Sequence, residues 1–388
     1  HTLGSAGGLY GLLAPYFIAF SIFSKDRDFT HAVRDHFGVS SPANAGTADA
    51  VRVGHFTDTF YDTNGVALTL QQQVQVALRH GKSLHVINCN EDPHLSQPGV
   101  KAFQPIGTYD LPEYPEQKLF YPPLMEMLRY CYEQKFTRIH SATPGPIGLA
   151  ALAIAKILKL PFSGTYHTQL PQYAQSLTGD AAMEELTWKY VIWYYDQMDV
   201  IYVPSASTRQ ELIDHGIKPE KVQRYPRGID IQHFRPQQEN DYWDRKYGLR
   251  DVCTLLYVGR VSKEKNLDLL VDAYRALRER TDQAHLVVVG DGPYLADMHK
   301  ALAELPCTFT GVLKGDDLVG AYTSADVFVF PSATDTFGNV ILEAQACGLP
   351  VITSSSNGAS EIMTHGQSGF VLDDSKDDRS LAGFLEIM

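Results

Sequence analysis

Asp335 and Glu343 flank a turn whose sequence predicts a ligand-binding edge. The apolar run at 326–330 (DVFVF) predicts a buried parallel strand, and the apolar residues that follow Gly338 or Asn339 predict a helix. Ligands of open α/β sheets bind beyond the carboxyl ends of strands, where a helix start presents free N–H groups to an anion. At about 1.5 Å of rise per helical residue, the carboxylates are expected on the order of 10 Å apart. That separation suits an extended ligand with hydroxyls at both ends and a phosphate between them; the alternative is an ordinary connection with two solvated carboxylates.

Two cations follow the strand TLLYVGR, at residues 254–260. Arg260 ends the strand and Lys265 comes just before a predicted helix, with Lys263 between them expected to point away. Cations at the carboxyl end of a strand neutralise bound phosphates and a departing diphosphate. The spacing therefore favours a diphosphate site, and a solvated basic loop is the alternative.

Three further residues stand where strands lead into loops or helices. His167 is the last residue but one of the segment FSGTYHT. It could contact a phosphate oxygen or a sugar hydroxyl or transfer a proton, and a structural role is the alternative. Gly65 precedes a predicted helix and allows a phosphate or leaving group to approach the backbone. Gly290, in the turn GDGP, could border a nucleotide base through backbone groups. The three-glycine dinucleotide fingerprint is absent, which disfavours an NAD-dependent oxidoreductase.

The sequence offers neither a metal site nor a protein nucleophile by spacing. The acidic pairs at 316–317, 373–374 and 377–378 consist of adjacent residues whose side chains point apart, and none is matched with a histidine cluster. They are interpreted as solvated faces or helix caps. No Ser-His-Asp or Cys-His arrangement can be assembled. We therefore predict that no metal and no cofactor take part.

Composition describes a soluble globular protein large enough for two domains. The chain has 388 residues, of which 44% are hydrophobic and 20% charged, with a net charge of -12. That charge disfavours nucleic acid as a partner. Five scattered cysteines without metal-ligand spacing favour reduced thiols and a cytoplasmic location. Because it starts at His1 and stops at Met388 within an apparent helix, the chain is interpreted as a fragment.

The apolar run from Leu9 to Phe23 is too short to span a membrane. It has only 15 residues and includes Pro15, whereas a spanning helix needs about 20. A packed helix is the preferred interpretation. The alternative is an interfacial helix that makes peripheral contact with the inner face of the membrane.

Alternating strands and helices predict an α/β protein with two Rossmann-like domains that face each other across a cleft. Residues 1–50 are assigned to an upstream segment or linker, and residues 51–228 to an N-terminal Rossmann-like domain. The polar, proline-containing stretch 229–250 is assigned to an interdomain linker. Residues 251–388 form the predicted C-terminal Rossmann-like domain, truncated at its end. The stretch between Pro93 and Pro123 is interpreted as irregular.

Taken together, the motifs resemble a known enzyme family. The matching segments occur in one order: GRVSKEKNLDLLVDAY, VVVGDGPY, FTGVL, ADVFVFPS, DTFGNVILEAQACGLPVI and NGASEIM…GQSGFVL. They resemble the nucleotide-binding half of the retaining glycosyltransferases of family 4, the group 1 enzymes with the GT-B fold. FTDTFYDTNGV, YHTQLPQYA and PRGIDIQHF resemble the acceptor domain of the same family, nearest the sulfoquinovosyl-, mannosyl- and glucosyltransferase branch.

The resemblance implies a role for each matching residue. Arg260 and Lys265 would hold the donor diphosphate, and Glu343 would bind the ribose hydroxyls. Asp335 would hold the transferred sugar together with the backbone of Phe337, Gly338 and Asn339. His167 would lie beside the sugar and the phosphate, with Gly65 approaching the phosphate from the acceptor domain. Gly290 and Gly311 complete the set of donor-binding residues.

One departure from the family pattern concerns the carboxylate pair. The family usually has two glutamates, whereas the first position here is Asp335, which is shorter by one methylene. This variant is expected to be tolerated and to retune the sugar preference.

The resemblance implies a retaining, metal-independent transfer of a mannose- or glucose-class hexose from a nucleotide diphosphate sugar to a hydroxyl acceptor such as a glycolipid or glycan. The alternatives are a catalytically silent nucleotide-sugar-binding module and a sugar phosphorylase or synthase of the same fold. The sequence leaves the base, the sugar and the acceptor open.

Overall fold

The computed structural model describes residues 12–20, 29, 33, 36–37, 51–62, 64–111, 114–225, 227–237, 241–332, 335–355 and 357–372. The acidic pairs at 373–374 and 377–378 lie outside these ranges. Residues 14–20 of the early apolar run are helical, and Leu12, Tyr16 and Ile18 are exposed. Within the described residues, no helix is long and apolar enough to cross a membrane.

The first sheet arises from short segments between residues 53 and 224. Seven strands are ordered β3-β2-β1-β6-β7-β8-β9, and the pairs from β3 through β8 are parallel. The strands are β1 Val53–Phe56, β2 Leu84–Cys89, β3 Val100–Phe103, β6 Arg138–Ser141, β7 Phe162–Thr165, β8 Val200–Val203 and β9 Val222–Arg224. A separate antiparallel pair is formed by β4 Gly107–Leu111 and β5 Tyr114–Tyr121.

Helices alternate with these strands, as the periodicity predicts. They are α1 Gly65–Arg79, α2 Leu124–Glu133, α3 Pro146–Leu158, α4 Leu170–Thr178, α5 Ala181–Asp196 and α6 Ala206–Asp214. Asn64 caps α1, because its side-chain oxygen accepts from the backbone N–H groups of Val66 and Ala67 at 3.1 and 2.9 Å. The helix predicted to follow Gly65 is present, and it begins at Gly65 itself.

The second sheet is parallel throughout. Its order is β12-β11-β10-β13-β14-β15. The strands are β10 Cys253–Val258, β11 Ala284–Val289, β12 Cys307–Gly311, β13 Val327–Phe330, β14 Val351–Ser354 and β15 Gly369–Leu372. The helices are α7 Tyr242–Tyr247, α8 Leu267–Arg278, α9 Leu295–Ala301, α10 Asp316–Thr323, α11 Asn339–Ala346 and α12 Asn357–Ser360. The strand order reverses between β10 and β13, which makes their carboxyl ends the topological switch point.

The chain forms two compact units that interleave in sequence. The first contains residues 1–167, 190–202 and 217–223, and the second contains 168–189, 203–216 and 224–388. The α/β class with two parallel sheets is confirmed. The second unit thus includes α4 and α6, which lie between strands of the first sheet in the sequence. The domain boundaries drawn from composition remain predictions about the linear chain.

Two stretches are more ordered than composition indicated. The interpretation of 93–123 as irregular is wrong, because β3 pairs with β2 and β4 pairs with β5. Tyr, Phe and Val favour strands, and the prolines fall between or at the ends of most of these segments. Part of the predicted linker forms α7, whose Trp243 is buried and donates its indole N–H to the Ala321 carbonyl at 3.1 Å.

Candidate functional site

The loop that follows β10 is locked to the turn that follows β11. Val261 donates its backbone N–H to the Asp291 carbonyl at 2.9 Å, and the Tyr257 hydroxyl donates to the Arg260 carbonyl at 2.8 Å. At Gly290, with φ of +141°, a Cβ atom would lie 1.8 Å from the Gly259 oxygen. Only glycine permits this approach. The two loops therefore form one rigid support at the carboxyl end of the sheet.

Lys265 and Asp335 meet at the topological switch point. Lys265 follows β10 in the short 3-10 helix Lys263–Lys265, and Asp335 follows β13, the parallel neighbour of β10. The Lys265 ammonium donates to an Asp335 carboxylate oxygen at 2.9 Å, and the two side chains are only 13% and 24% exposed. Two predicted site residues that are 70 positions apart in sequence are thus in direct contact.

Each partner holds the other in its charged form. Burial would raise the pKa of the Asp335 carboxyl, but Lys265, Ser332 and Arg227 together hold it below its usual range. Burial would likewise lower the pKa of Lys265, but the charge of Asp335 keeps it above the usual range. The pair is therefore an ammonium and a carboxylate at neutral pH, partly withdrawn from water.

The segment that carries Asp335 is fixed from two sides. Ser354 at the end of β14 donates its hydroxyl to the Ser332 carbonyl at 2.7 Å. A Cβ atom at Gly358 would lie 2.0 Å from the Thr336 carbonyl oxygen, so α12 packs directly on this segment. Phe337 is buried and Gly338 adopts φ of +78° before α11 begins at Asn339. The predicted helix start is confirmed, and the left-handed residue at 338 is what turns the chain into it.

Glu343 lies in the second turn of α11 in different surroundings. Its carboxylate accepts a hydrogen bond of 2.9 Å from the hydroxyl of Tyr322, which is fully buried in α10. Burial raises the pKa of Glu343 to about 7, against the opposing effect of the Tyr322 bond. The other carboxylate oxygen keeps acceptor capacity, and such a group could bind hydroxyls.

Arg227 was missed by the sequence analysis, which placed its segment at a domain boundary. Its guanidinium lies 3.5 Å from the side-chain oxygen of Asn339, and its charge acts on Asp335. Burial lowers the pKa of Arg227 to about 10, so the group stays cationic at neutral pH. The only signal was an Arg-Gly pair just after a strand end, which is weak. With Arg260 and Lys265, it gives this edge of the sheet three cations.

Gly65 and His167 belong to the first unit, whereas the other predicted site residues belong to the second. Their predicted roles beside the donor remain predictions. In the second unit, Gly311 ends β12 with φ of +71° and its carbonyl accepts the Gly290 N–H at 2.9 Å. The two glycines are thus adjacent at the carboxyl ends of neighbouring strands, in keeping with backbone contact to a ligand.

A metal centre is not apparent in the part of the chain that the structure describes. There, no group of three His, Cys, Asp or Glu side chains is arranged to hold a metal ion. Asp316 and Asp317 open α10, where Asp317 forms an ion pair of 2.9 Å with Lys246. The N-cap of α10 is Gly315, so the two aspartates do not cap the helix but lie in its first turn, where the helix dipole favours negative charge. Independence from metal stays a prediction.

Family models match both halves of the chain. The model described as Glycosyl transferases group 1 matches residues 252–386, and the model described as Glycosyltransferase Family 4 matches residues 63–233. Together the two matches cover more than half of the 388 residues. The first contains all the site residues of the second sheet.

Curated relatives are similar over part of their length. A sulfoquinovosyl transferase of Arabidopsis thaliana is 34% identical over 60% of this chain and 45% of its own length. A GDP-mannose-dependent alpha-mannosyltransferase of Mycobacterium tuberculosis is 32% identical, with 64% of each chain covered. An alpha-monoglucosyldiacylglycerol synthase of Streptococcus pneumoniae is 29% identical over 78% of this chain and 70% of its own. The chain thus spans less than half of the plant relative and just under two thirds of the mycobacterial one.

Solved structures share the fold. Sucrose-phosphate synthase from Thermosynechococcus elongatus superposes with a TM-score of 0.71 at 20% identity, covering 87% of this chain and 89% of that one. Anabaena HepE, solved in complex with UDP-glucose, superposes with a TM-score of 0.67 at 18% identity, covering 86% and 88%. At these identities the likeness concerns the fold alone, and it agrees with the predicted GT-B class.

Proposed function

Because the chain belongs to the group 1 glycosyltransferases of family 4, we propose that it transfers a hexose from a nucleotide diphosphate sugar to a hydroxyl acceptor. The observation that carries the proposal is the half-buried Lys265–Asp335 pair at the switch point of the second sheet. It sets a fixed ammonium where an anionic ligand of such a sheet binds. Glu343, in the second turn of the adjoining helix, is suited to accept hydrogen bonds from hydroxyl groups.

The cations supply the stabilisation that the reaction needs. Transfer breaks the bond between the anomeric carbon and the phosphate oxygen, and charge develops on the departing diphosphate. Lys265 and Arg260 neutralise that charge, and the start of α11 adds backbone N–H groups. We therefore propose that no divalent cation is required. Asp335, held ionised by Lys265, accepts hydrogen bonds from hydroxyl groups of the transferred sugar.

We further propose that the transfer retains the anomeric configuration. The acceptor oxygen bonds to the anomeric carbon from the face that the diphosphate leaves, and the acceptor proton passes to the departing phosphate oxygen. No protein nucleophile is needed for this step. His167 and Gly65 of the first unit are proposed to contact the donor sugar and its phosphate.

The acceptor is proposed to be a hydroxyl of a glycolipid, with a soluble glycan as the alternative. The name of the pneumococcal relative includes a diacylglycerol, and that of the mycobacterial relative includes GDP-mannose. A further relative is named for a phosphatidylinositol monomannoside. Exposed Leu12, Tyr16 and Ile18 on the early helix provide apolar surface for peripheral contact with a membrane. Location at the inner face of the membrane is part of this proposal.

A donor panel tests the proposal. Thermal shift and donor hydrolysis are measured with UDP-glucose, UDP-galactose, GDP-mannose, ADP-glucose and NAD, each with and without EDTA. We expect one nucleotide sugar to stabilise the fold and to be slowly hydrolysed in EDTA. Loss of activity in EDTA would contradict metal independence. Binding without transfer to any acceptor and without hydrolysis would indicate a silent binding module, and turnover with free phosphate instead of nucleotide release would indicate a phosphorylase.

A further inference from the structure

Helix α4 lies in the first half of the sequence but is part of the donor unit. Residues 168–189 cluster with the second unit, and α4 packs against the 3-10 helix that carries Lys265. This contact brings α4 residues to the edge of the sheet where the Lys265–Asp335 pair lies. The helix is therefore placed to contribute a side chain to the proposed donor site.

Tyr173 is a residue of α4, the helix that packs against the 3-10 helix of Lys265, and it interacts electrostatically with Lys265. Its hydroxyl is within electrostatic range of Lys265, Asp335, Glu264 and Arg260. Burial raises the pKa of the phenol, so the hydroxyl stays protonated and able to donate at neutral pH. Among the residues that the structure describes, Tyr173 makes no side-chain hydrogen bond, which leaves this donor available to a ligand.

The first turn of α4 is held by one carboxylate. Glu211, on α6, accepts hydrogen bonds from the side-chain amides of Gln169 and Gln172 at 3.2 and 2.6 Å. Gln169 is the residue before α4, and Gln172 directly precedes Tyr173. Both Glu211 oxygens are thus used to fix the turn from which the tyrosine projects.

Helix α6 is itself anchored to the second unit. The Glu361 carboxylate accepts the backbone N–H groups of Ala206 and Ser207 at 2.7 and 2.6 Å, and Ser205 caps the same helix start. A carboxylate at a helix N-terminus is favoured by the unpaired N–H groups and the helix dipole. Glu361 follows α12, which packs on the segment that carries Asp335. The contacts from Glu361 through Glu211 therefore tie Tyr173 to the same frame as the Lys265–Asp335 pair.

We infer that the Tyr173 hydroxyl donates a hydrogen bond to an oxygen of the donor's diphosphate, and that Glu211 is the residue that positions it. The inference rests on the proposed function, since the ligand is the nucleotide sugar. A phosphate oxygen is the partner that fits, because the hydroxyl lies beside the cations proposed to bind the diphosphate. Glu211 does not touch the donor and acts through α4.

A double-mutant cycle tests both parts with UDP-glucose and GDP-mannose as probes. Tyr173→Phe removes one hydrogen bond to a charged group and is expected to lower kcat/KM by about tenfold or more. Glu211→Ala is expected to cause a similar loss, and the double variant should lose no more than the more impaired single variant, because both changes remove the same interaction. Asp214→Ala is the matched control, since Asp214 is on α6 and accepts from Gln210 of that helix; it should retain full activity.

Each result decides one question. Unchanged kcat/KM in Tyr173→Phe would overturn the donor contact, and additive losses would overturn the positioning role of Glu211. If Glu211→Ala does not fold, Gln172→Ala replaces it, with the same expectation of non-additivity. If the wild-type chain binds neither probe nor any other nucleotide sugar, the proposed function fails and this inference fails with it. If the wild-type chain turns the donor over and Tyr173→Phe is equally active, only this inference is overturned and the proposed function stands.

Discussion

Asp335 and Glu343 are eight residues apart on one segment, yet the structure surrounds them with opposite chemistry. Asp335 contacts an ammonium, is acted on by the charge of Arg227, and has a pKa below the usual range of an aspartate. Glu343 contacts a neutral phenol, and burial raises its pKa to about 7. A carboxylate with a cationic partner stays ionised when buried, whereas one with a neutral partner pays the desolvation cost.

The difference indicates different tasks for the two carboxylates. Asp335 belongs to a charged pair whose ammonium is available to phosphate oxygens as well. Glu343 is a half-buried acceptor that already takes one hydrogen bond from Tyr322, and the paired hydroxyls of a ribose would donate to its remaining acceptor capacity. The same two residue types at the same two positions would not show this division without their partners Lys265 and Tyr322.

The largest expected effect comes from removing Lys265, the cation that pairs with Asp335. Lys265→Ala leaves the half-buried Asp335 without its ammonium and removes the positive charge proposed to stabilise the departing diphosphate. We expect a loss of about 2 to 4 kcal/mol of transition-state stabilisation, or on the order of 30- to 1,000-fold in kcat/KM. Steady-state kinetics with the identified donor measure it. Exposed Lys263, in the same short helix, is the control: Lys263→Ala should be near normal. Near-normal turnover of Lys265→Ala would remove Lys265 from the site.

A smaller effect, on donor affinity, is expected from replacing Glu343, the carboxylate with the neutral partner. Glu343→Ala removes the acceptor proposed for the ribose, and we expect donor affinity to fall by about 10- to 100-fold, as for hydrogen bonds to a charged group. Calorimetric titration with the nucleoside diphosphate alone isolates this effect, because the transferred sugar is absent. Unchanged affinity would contradict the ribose role.

Replacing Glu343 by glutamine should increase the stability of the folded protein, although replacing it by alanine weakens donor binding. The folded pKa of Glu343, about 7, lies above its unfolded value of 4.5, so ionising it in the folded state costs stability as pH rises through this window. Glu343→Gln avoids that cost and can still accept the Tyr322 hydrogen bond. We expect a free energy of unfolding about 1 to 3 kcal/mol higher than wild type at pH 8, with the difference vanishing below about pH 4.5.

Melting temperatures across pH 4 to 8 measure this shift. Glu304→Gln, a change at an exposed position of the same unit, serves as the control and should follow wild type throughout. A melting temperature of Glu343→Gln that matches wild type at pH 8 would show that Glu343 is solvated or already compensated by another group.

The contrast between the two carboxylates marks how far the sequence could go. Hydrophobic periodicity and turn residues were enough to predict the parallel sheets and the helix start at Asn339. They also located cations and carboxylates at strand ends, because all of these features depend on local sequence pattern. The side chains that contact the two carboxylates could not be predicted from the sequence. Tyr322 is a buried residue of an ordinary helix that lies 21 positions before Glu343, and nothing local distinguishes it from core.

Tyr173 and Arg227 show the same limit at larger scale. Both precede the second sheet in sequence, and only tertiary packing assigns them to its carboxyl edge. The edge that binds a ligand in such a fold collects residues from non-consecutive elements. Strand-by-strand prediction finds the elements and misses these additions.

The smallest effect is expected from lengthening the charged carboxylate. Asp335→Glu restores the usual glutamate of the family and moves the carboxylate by about one methylene, while Lys265 remains within reach of it. Turnover should persist, and the ratio of kcat/KM between glucose and mannose donors of one base should shift by about three- to tenfold, since small geometric changes in a sugar pocket discriminate by about 1 kcal/mol. Competition between the two donors measures the ratio directly. An unchanged ratio would place the sugar away from Asp335 and leave this residue only its pairing with Lys265.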